Sequence, residues 1–195
     1  MEIKMNENHE ICARCGGKCC MSYGCHLHPD DFIKRFGPIT RESIIAALEC
    51  GDYSVDAWNG DVREDEFPEI AKDIPETELK FESWFFRTRH IGYEVIDNYS
   101  SGGVCVNFTK HGCKFSWEDR PSGGRALIPV EGSECEQTSF DKPDAVLAWL
   151  PYSDLIEKVI YSPEFIDRWS NYMTWIEFSA KLREKGKRLI DVIPD

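Results

Sequence analysis

Five of the chain's nine cysteines fall within fourteen residues, from Cys12 to Cys25, written CARCGGKCCMSYGC. The spacing is C-x2-C-x3-C-C, with Cys25 following after four more residues. Two intervening residues suit a knuckle, because they bring two thiolates round onto one ion at about 2.3 Å for zinc. Gly16 and Gly17 follow the second cysteine directly. They supply the freedom for the chain to curl back with its amides facing the sulfurs. A disulfide cluster fits less well, since nine is odd and the start, MEIKMNENHE, is charged where a secretory signal carries its apolar stretch. A thioredoxin-like redox pair at Cys12 and Cys15 needs a strand before it and a helix after it, and here two glycines and two more cysteines follow. Inert packing of five such close cysteines is a poor explanation. Metal ligation is the expectation.

The rest of the chain is large enough to carry that site on a real core. At 195 residues the expectation is one domain spanning 1–195, burying roughly 70% of its unfolded surface. A cysteine-cluster region over 12–135 and a helical subdomain over 142–195 are expected within it. A structural zinc contributes about 10–16 kcal/mol in small finger peptides, against about 5–15 kcal/mol for the stability of a whole domain. Here the core shares the load, so metal loss is expected to loosen one end only. The formal charge is −12, from 35 acidic and 23 basic residues, which speaks against general binding of nucleic acid. No run reaches the roughly eighteen apolar residues of a membrane span. The expected place is the cytosol, where thiols stay reduced and cysteine clusters serve metals or catalysis.

The fold class expected is α+β. His28-Pro29-Asp30-Asp31 opens a short helix through Phe36, with proline and two acids at its start. Thr40 caps a second helix, RESIIAALEC, that ends at Gly51 and leaves Cys50 as a buried structural thiol. Alternation in YSVDAW predicts a strand, turned by Asn59-Gly60. Residues 61–78 are acidic and read as an exposed connection. The aromatic runs LKFESWFF and HIGYEVI, between Leu79 and Ile96, read as strands paired with each other. From about Lys142 the chain is helical, in two pieces around Pro151. A longer helix then starts at Ser162-Pro163 and carries a core stripe of Phe165, Ile166, Trp169, Tyr172, Met173 and Ile176. Lys181, Arg183 and Lys185 suit the last turns of that helix, at the negative end of its dipole.

A second cysteine group, VCVNFTKHGCKF, places Cys105 and Cys113 symmetrically about Thr109. A hairpin turning there sets them opposite each other, with Cβ atoms about 4.5–5.5 Å apart and thiolates on one face. The stretch WEDRPSGGRALIPVEGSEC then reads as irregular and ends at Cys135, a candidate to complete a ligand set.

These two groups together resemble the YkgJ-like cysteine cluster family, a zinc- or iron-chelating domain. Cys12, Cys15, Cys19 and Cys20 match its first motif, Cys105 and Cys113 its next pair, and Arg120-Pro121 its Arg-Pro. Where the family has R-P-x-x-C-R-x-x-P, this chain reads RPSGGRALIP, with Gly124 in place of the cysteine and Pro129 one residue late. Cys25 or Cys135 is then the replacement. The resemblance implies chelation by cysteines and little else, since most members lack an assigned activity. One relative, flagellin lysine N-methylase, carries a similar motif and is associated with an iron–sulfur cluster, but nothing else here matches that enzyme.

The ligand set expected is Cys12, Cys15, Cys19, Cys20, Cys105, Cys113, Cys135 and Cys25. Eight thiolates fill two tetrahedral zinc sites, or four hold one iron–sulfur cluster with others left over. Zinc is favoured slightly, on the two-residue knuckle with glycines. His26 and His28 are alternative ligands, although ordinary helix-start roles suit them better. Two functions follow. One is a non-catalytic metal-binding module for structure, sensing or contact with a protein partner, whose full thiolate set leaves no open coordination position. The other is an iron–sulfur or metal-dependent enzyme of unknown substrate, with His111 or His90 as helper. No phosphate-cradling loop, nucleophile elbow or zinc-protease motif is present.

Overall fold

The computed structural model describes Cys20, residues 25–61, 80–91, 104–110, 112–128, 136–137 and 141–165, Lys181, and residues 183–187. It is an α+β arrangement of short helices and two-stranded antiparallel sheets. Helix α1, Pro29–Phe36, begins where the sequence places it, with His28 as cap and its Nδ1 accepting from the Asp30 amide at 3.1 Å. Helix α2, Arg41–Glu49, starts in a reciprocal box in which Thr40 and Ser43 each serve the other's amide. Cys50 lies at its C-terminal cap, where its thiol reaches the Ala47 carbonyl at 3.1 Å. It is exposed, not the buried thiol expected. The apolar side of α2 is made by Ile44, Ala47 and Leu48, and position 50 falls outside it.

The main sheet corrects the sequence reading. Strand β1, Tyr53–Asp61, runs straight through Asn59-Gly60 and pairs with β2, Lys80–Thr88, from Tyr53↔Thr88 to Asp61↔Lys80. A turn at Asn59-Gly60 would have offered β1 the partner DVREDE, which has almost nothing to bury. LKFESWFF brings Trp84, Phe85 and Phe86 into the core instead. So the LKFESWFF run pairs backwards with β1. Of the HIGYEVI run, residues 92–96 lie outside the described residues, as do 62–79 of the acidic connection.

Helices close the sheet. Helix α4, Asp141–Trp149, a 3-10 turn at Leu150–Tyr152 and α5, Ser153–Ile160, follow the break expected at Pro151. (A short α3, Ser122–Arg125, precedes them.) One core joins Leu27, Phe32, Ile44, Leu48, Tyr53, Val55, Phe86, Trp149, Ile156 and Phe165. Trp149 anchors it. Its ring stands edge-on to Phe32 at 5.4 Å and tilted to Phe86 at 5.2 Å, and its Nε1 donates to the Leu27 carbonyl at 2.6 Å. That bond satisfies the indole while fixing the segment just after Cys25. The remainder of the aromatic stripe, from Ile166 to Ile176, lies outside the described residues.

β2 also holds a buried polar line. Arg87 meets Asp56 at 3.5 Å and the His90 ring Nδ1 at 2.6 Å. A guanidinium has only donors, so the His90 nitrogen accepts there. Arg89 donates to the Tyr53 and Leu48 carbonyls, the latter one of the unpaired carbonyls that end α2.

Candidate metal centre

The C-terminal end of β2 gathers the cysteine segments. On one side, residues 25–27 run antiparallel to it: the Leu27 amide donates to Phe86, the Thr88 amide to Cys25 at 2.7 Å, and His26 bridges Arg87. The Thr88 hydroxyl accepts from the Cys25 amide at 2.7 Å. On the other side, Val106 donates to Arg89, Ile91 donates to Val104, and His90 bridges Cys105. Between them the Cys105 amide donates to the Cys20 carbonyl at 2.7 Å. Cys20 and Cys105, 85 positions apart in the chain, are therefore hydrogen-bonded neighbours. Cys20 packs with Ile91 against Val104, Cys105 and Phe108.

Cys105 is 4% exposed and sits in a turn closed by the Phe108 amide on its carbonyl at 3.0 Å. The Asn107 amide donates to its sulfur at 3.4 Å. Burial pushes the Cys105 thiol up; hydrogen bonds from Thr88 and Asn107 oppose that, and the Cys113 thiol nearby adds to it. An amide donor aimed at a buried sulfur is what a thiolate needs to hold its charge in a dry setting. Asn107 is 1% exposed, and neither its Nδ2 nor its Oδ1 meets a hydrogen-bond partner. A buried carboxamide left so costs about 1–3 kcal/mol per group.

The hairpin differs from the sequence reading in register. β3, Phe108–Thr109, pairs with β4, Gly112–Cys113, as Phe108↔Cys113 and Thr109↔Gly112. Cys113 therefore faces Phe108, not Cys105. Gly112 has φ 109°, a conformation open to glycine, so the chain reverses between Thr109 and Gly112 rather than at Thr109. Cys105 leaves the ladder for its own turn, and it is this turn that returns its sulfur towards Cys113.

The Arg-Pro segment packs on the other flank. Ser122 is held by Asp31 and by the His28 amide, and Arg125 forms a two-pronged pair with Asp31 at 2.9 and 3.0 Å. This lays α3 on Cys25 and His26, a regular turn where irregular chain was expected. A Cβ at Gly123 would stand 2.7 Å from the His26 ring, and one at Gly124 would stand 3.3 Å from the Cys25 sulfur. The Cys25 thiol thus occupies the space beside position 124.

Of the eight expected ligands, Cys20, Cys25, Cys105 and Cys113 are described and lie around the end of β2 and α3. Cys12, Cys15, Cys19 and Cys135 lie outside the described residues, as does His111. Among the described residues no three of His, Cys, Asp and Glu gather as one ligand group. His28 is engaged as a helix cap, and His90 is fully buried against Arg87. Sequence reasoning missed Thr88 and Asn107, whose importance lies in contacts across 63 and two positions respectively. No local pattern marks either. No helix among the described residues is long and apolar enough to cross a membrane. Comparison with family models, curated proteins and solved structures finds no match.

Proposed function

We propose that this chain is a metal-binding cysteine-cluster protein, working as a structural or sensing module that contacts a protein partner. The observation that carries this is the Cys105–Cys20 backbone bond, which sets one cysteine of each group side by side, with the Asn107 amide turned to the Cys105 sulfur. Cys20, Cys105 and Cys113 would hold a cation together with thiolates from Cys12, Cys15 and Cys19. Cys25 rather than Cys135 replaces the cysteine that the YkgJ-like pattern has at position 124; the support is the 3.3 Å approach of its sulfur to that position. Zinc is the preferred ion and an iron–sulfur cluster the alternative. The ion would supply a closed, charge-neutralising link between the N-terminal segment and the hairpin turn. An enzymatic role for His90 draws no support from its position, because it is fully buried and held by a guanidinium.

The test is purification without oxygen, followed by elemental analysis and an absorption spectrum. A colourless protein with up to two zinc ions per chain is expected for closed thiolate sites. A brown, iron-loaded protein replaces zinc with an iron–sulfur cluster. A chain that takes up neither metal overturns the proposal.

A further inference from the structure

Residues 25–28 are held along both edges. On one edge the Cys25 and Leu27 backbones pair with β2. On the other edge, where a further strand would lie, the partner is Ser122. Its hydroxyl accepts from the His28 amide at 3.0 Å and donates to the His26 carbonyl at 3.3 Å. The Gly123 amide reaches the same carbonyl at 3.2 Å. One hydroxyl thus serves an acceptor and a donor on either side of Leu27, as a single residue of a parallel strand would.

Ser122 is itself seated by two charged residues. Its amide donates to Asp31 Oδ2 at 2.9 Å, and Arg125 Nη2 meets both oxygens of that carboxylate at 2.9 and 3.0 Å. Asp31 belongs to α1, whose Phe32 lies in the main core. The edge of the cysteine strand is therefore tied, through α3, to a fixed helix. The same turn borders the thiol, since a Cβ at Gly124 would stand 3.3 Å from the Cys25 sulfur.

We infer that Ser122, seated by the Asp31–Arg125 pair, is a positioning residue of the candidate metal centre: it fixes the strand that carries Cys25 and the wall beside its sulfur. This rests on the reading of Cys25 as a ligand. A ligand already held in place loses little freedom when the ion binds, and the difference appears as affinity. The Ser122 bonds go to His26, His28 and Asp31, so its effect on an ion runs through Cys25.

The experiment measures cobalt(II) binding by the full chain, with zinc as competitor, in Ser122→Ala, Ser122→Thr and Arg125→Gln, each alone and combined with Cys25→Ala. Losing an outer partner of a metal ligand lowers affinity about 10–100-fold. Ser122→Ala and Arg125→Gln are expected to show a loss in that range, with shifted sulfur-to-cobalt bands and faster hydrogen exchange at the Cys25 amide of the metal-free chain. Ser122→Thr keeps the hydroxyl and is expected to restore all three. With Cys25→Ala in place, Ser122→Ala should cost no further affinity, because effects that run through one ligand are not additive. Losses that add would make Ser122 a general support of the fold and overturn the inference. Should Ser122→Ala fail to fold, Arg125→Gln decides by the same comparison. If the unsubstituted chain takes up no cobalt, or Cys25→Ala binds it unchanged, the reading of Cys25 as a ligand falls and this inference with it. Affinity lost in Cys25→Ala but kept in Ser122→Ala and Arg125→Gln overturns this inference alone.

Discussion

Moving a ligand from position 25 to position 124 is a severe test, because two changes must cancel. Cys25→Ala removes a sulfur that lies 3.3 Å from where a Cβ at 124 would stand. Gly124→Cys builds that Cβ and hangs a sulfur from it, one bond further along. The added sulfur can swing into the space the Cys25 sulfur leaves; the Arg120 side chain stands 3.5 Å from the same Cβ position. If about 10–16 kcal/mol of zinc affinity is shared over four thiolates, each is worth roughly 2.5–4 kcal/mol, or about 10²–10³-fold. Cys25→Ala alone should lose that much, read by competition with a coloured zinc chelator. Gly124→Cys alone should crowd the Cys25 sulfur and lower stability. The double variant should recover most of the affinity. Cys25→Ala with unchanged zinc affinity, or a double variant no better than it, would refute the assignment of Cys25.

Two further outcomes follow from the packing. Gly123→Ala places a methyl 2.7 Å from the buried His26 ring and 3.0 Å from its amide nitrogen, so it should destabilise the fold by about 1–3 kcal/mol in urea unfolding, with the slope unchanged. Burial pushes the Tyr53 phenol, a partner of Arg35, well above its ordinary value. The unfolded chain then releases this proton first, so stability is complete below about pH 10 and falls above it by up to about 1.4 kcal/mol per pH unit. Tyr53→Phe should flatten that alkaline decline in chemical denaturation from pH 9 to 11.

What the sequence disclosed was local. Pro29 with two acids, Thr40 and Pro151 each act within four residues, and α1, α2 and the break before α5 stand where those signals put them. Pairing was less legible. The Asn59-Gly60 signal is genuine chemistry, but it is weaker than the apolar area that Trp84, Phe85 and Phe86 bring to β1 across a long connection. The hairpin register turned on one glycine conformation, at Gly112, which symmetry about Thr109 could not reveal. The cysteine spacing gave no sign that Cys20 and Cys105 would meet through their backbones. Nor did Thr88 stand out, since a threonine ending a strand looks like any other until the Cys25 amide closes on its hydroxyl.

The sharing of one cation by the two cysteine groups is tested most directly by the metal content of Cys20→Ser, Cys105→Ser and the variant carrying both changes, each purified without oxygen. Ligands of a single ion are not additive. Each single change should remove the same metal equivalent, and the double change should remove no more than either. Losses that add up to two separate equivalents, or metal content indifferent to Cys105, would mean that Cys20 and Cys105 meet only through their backbones.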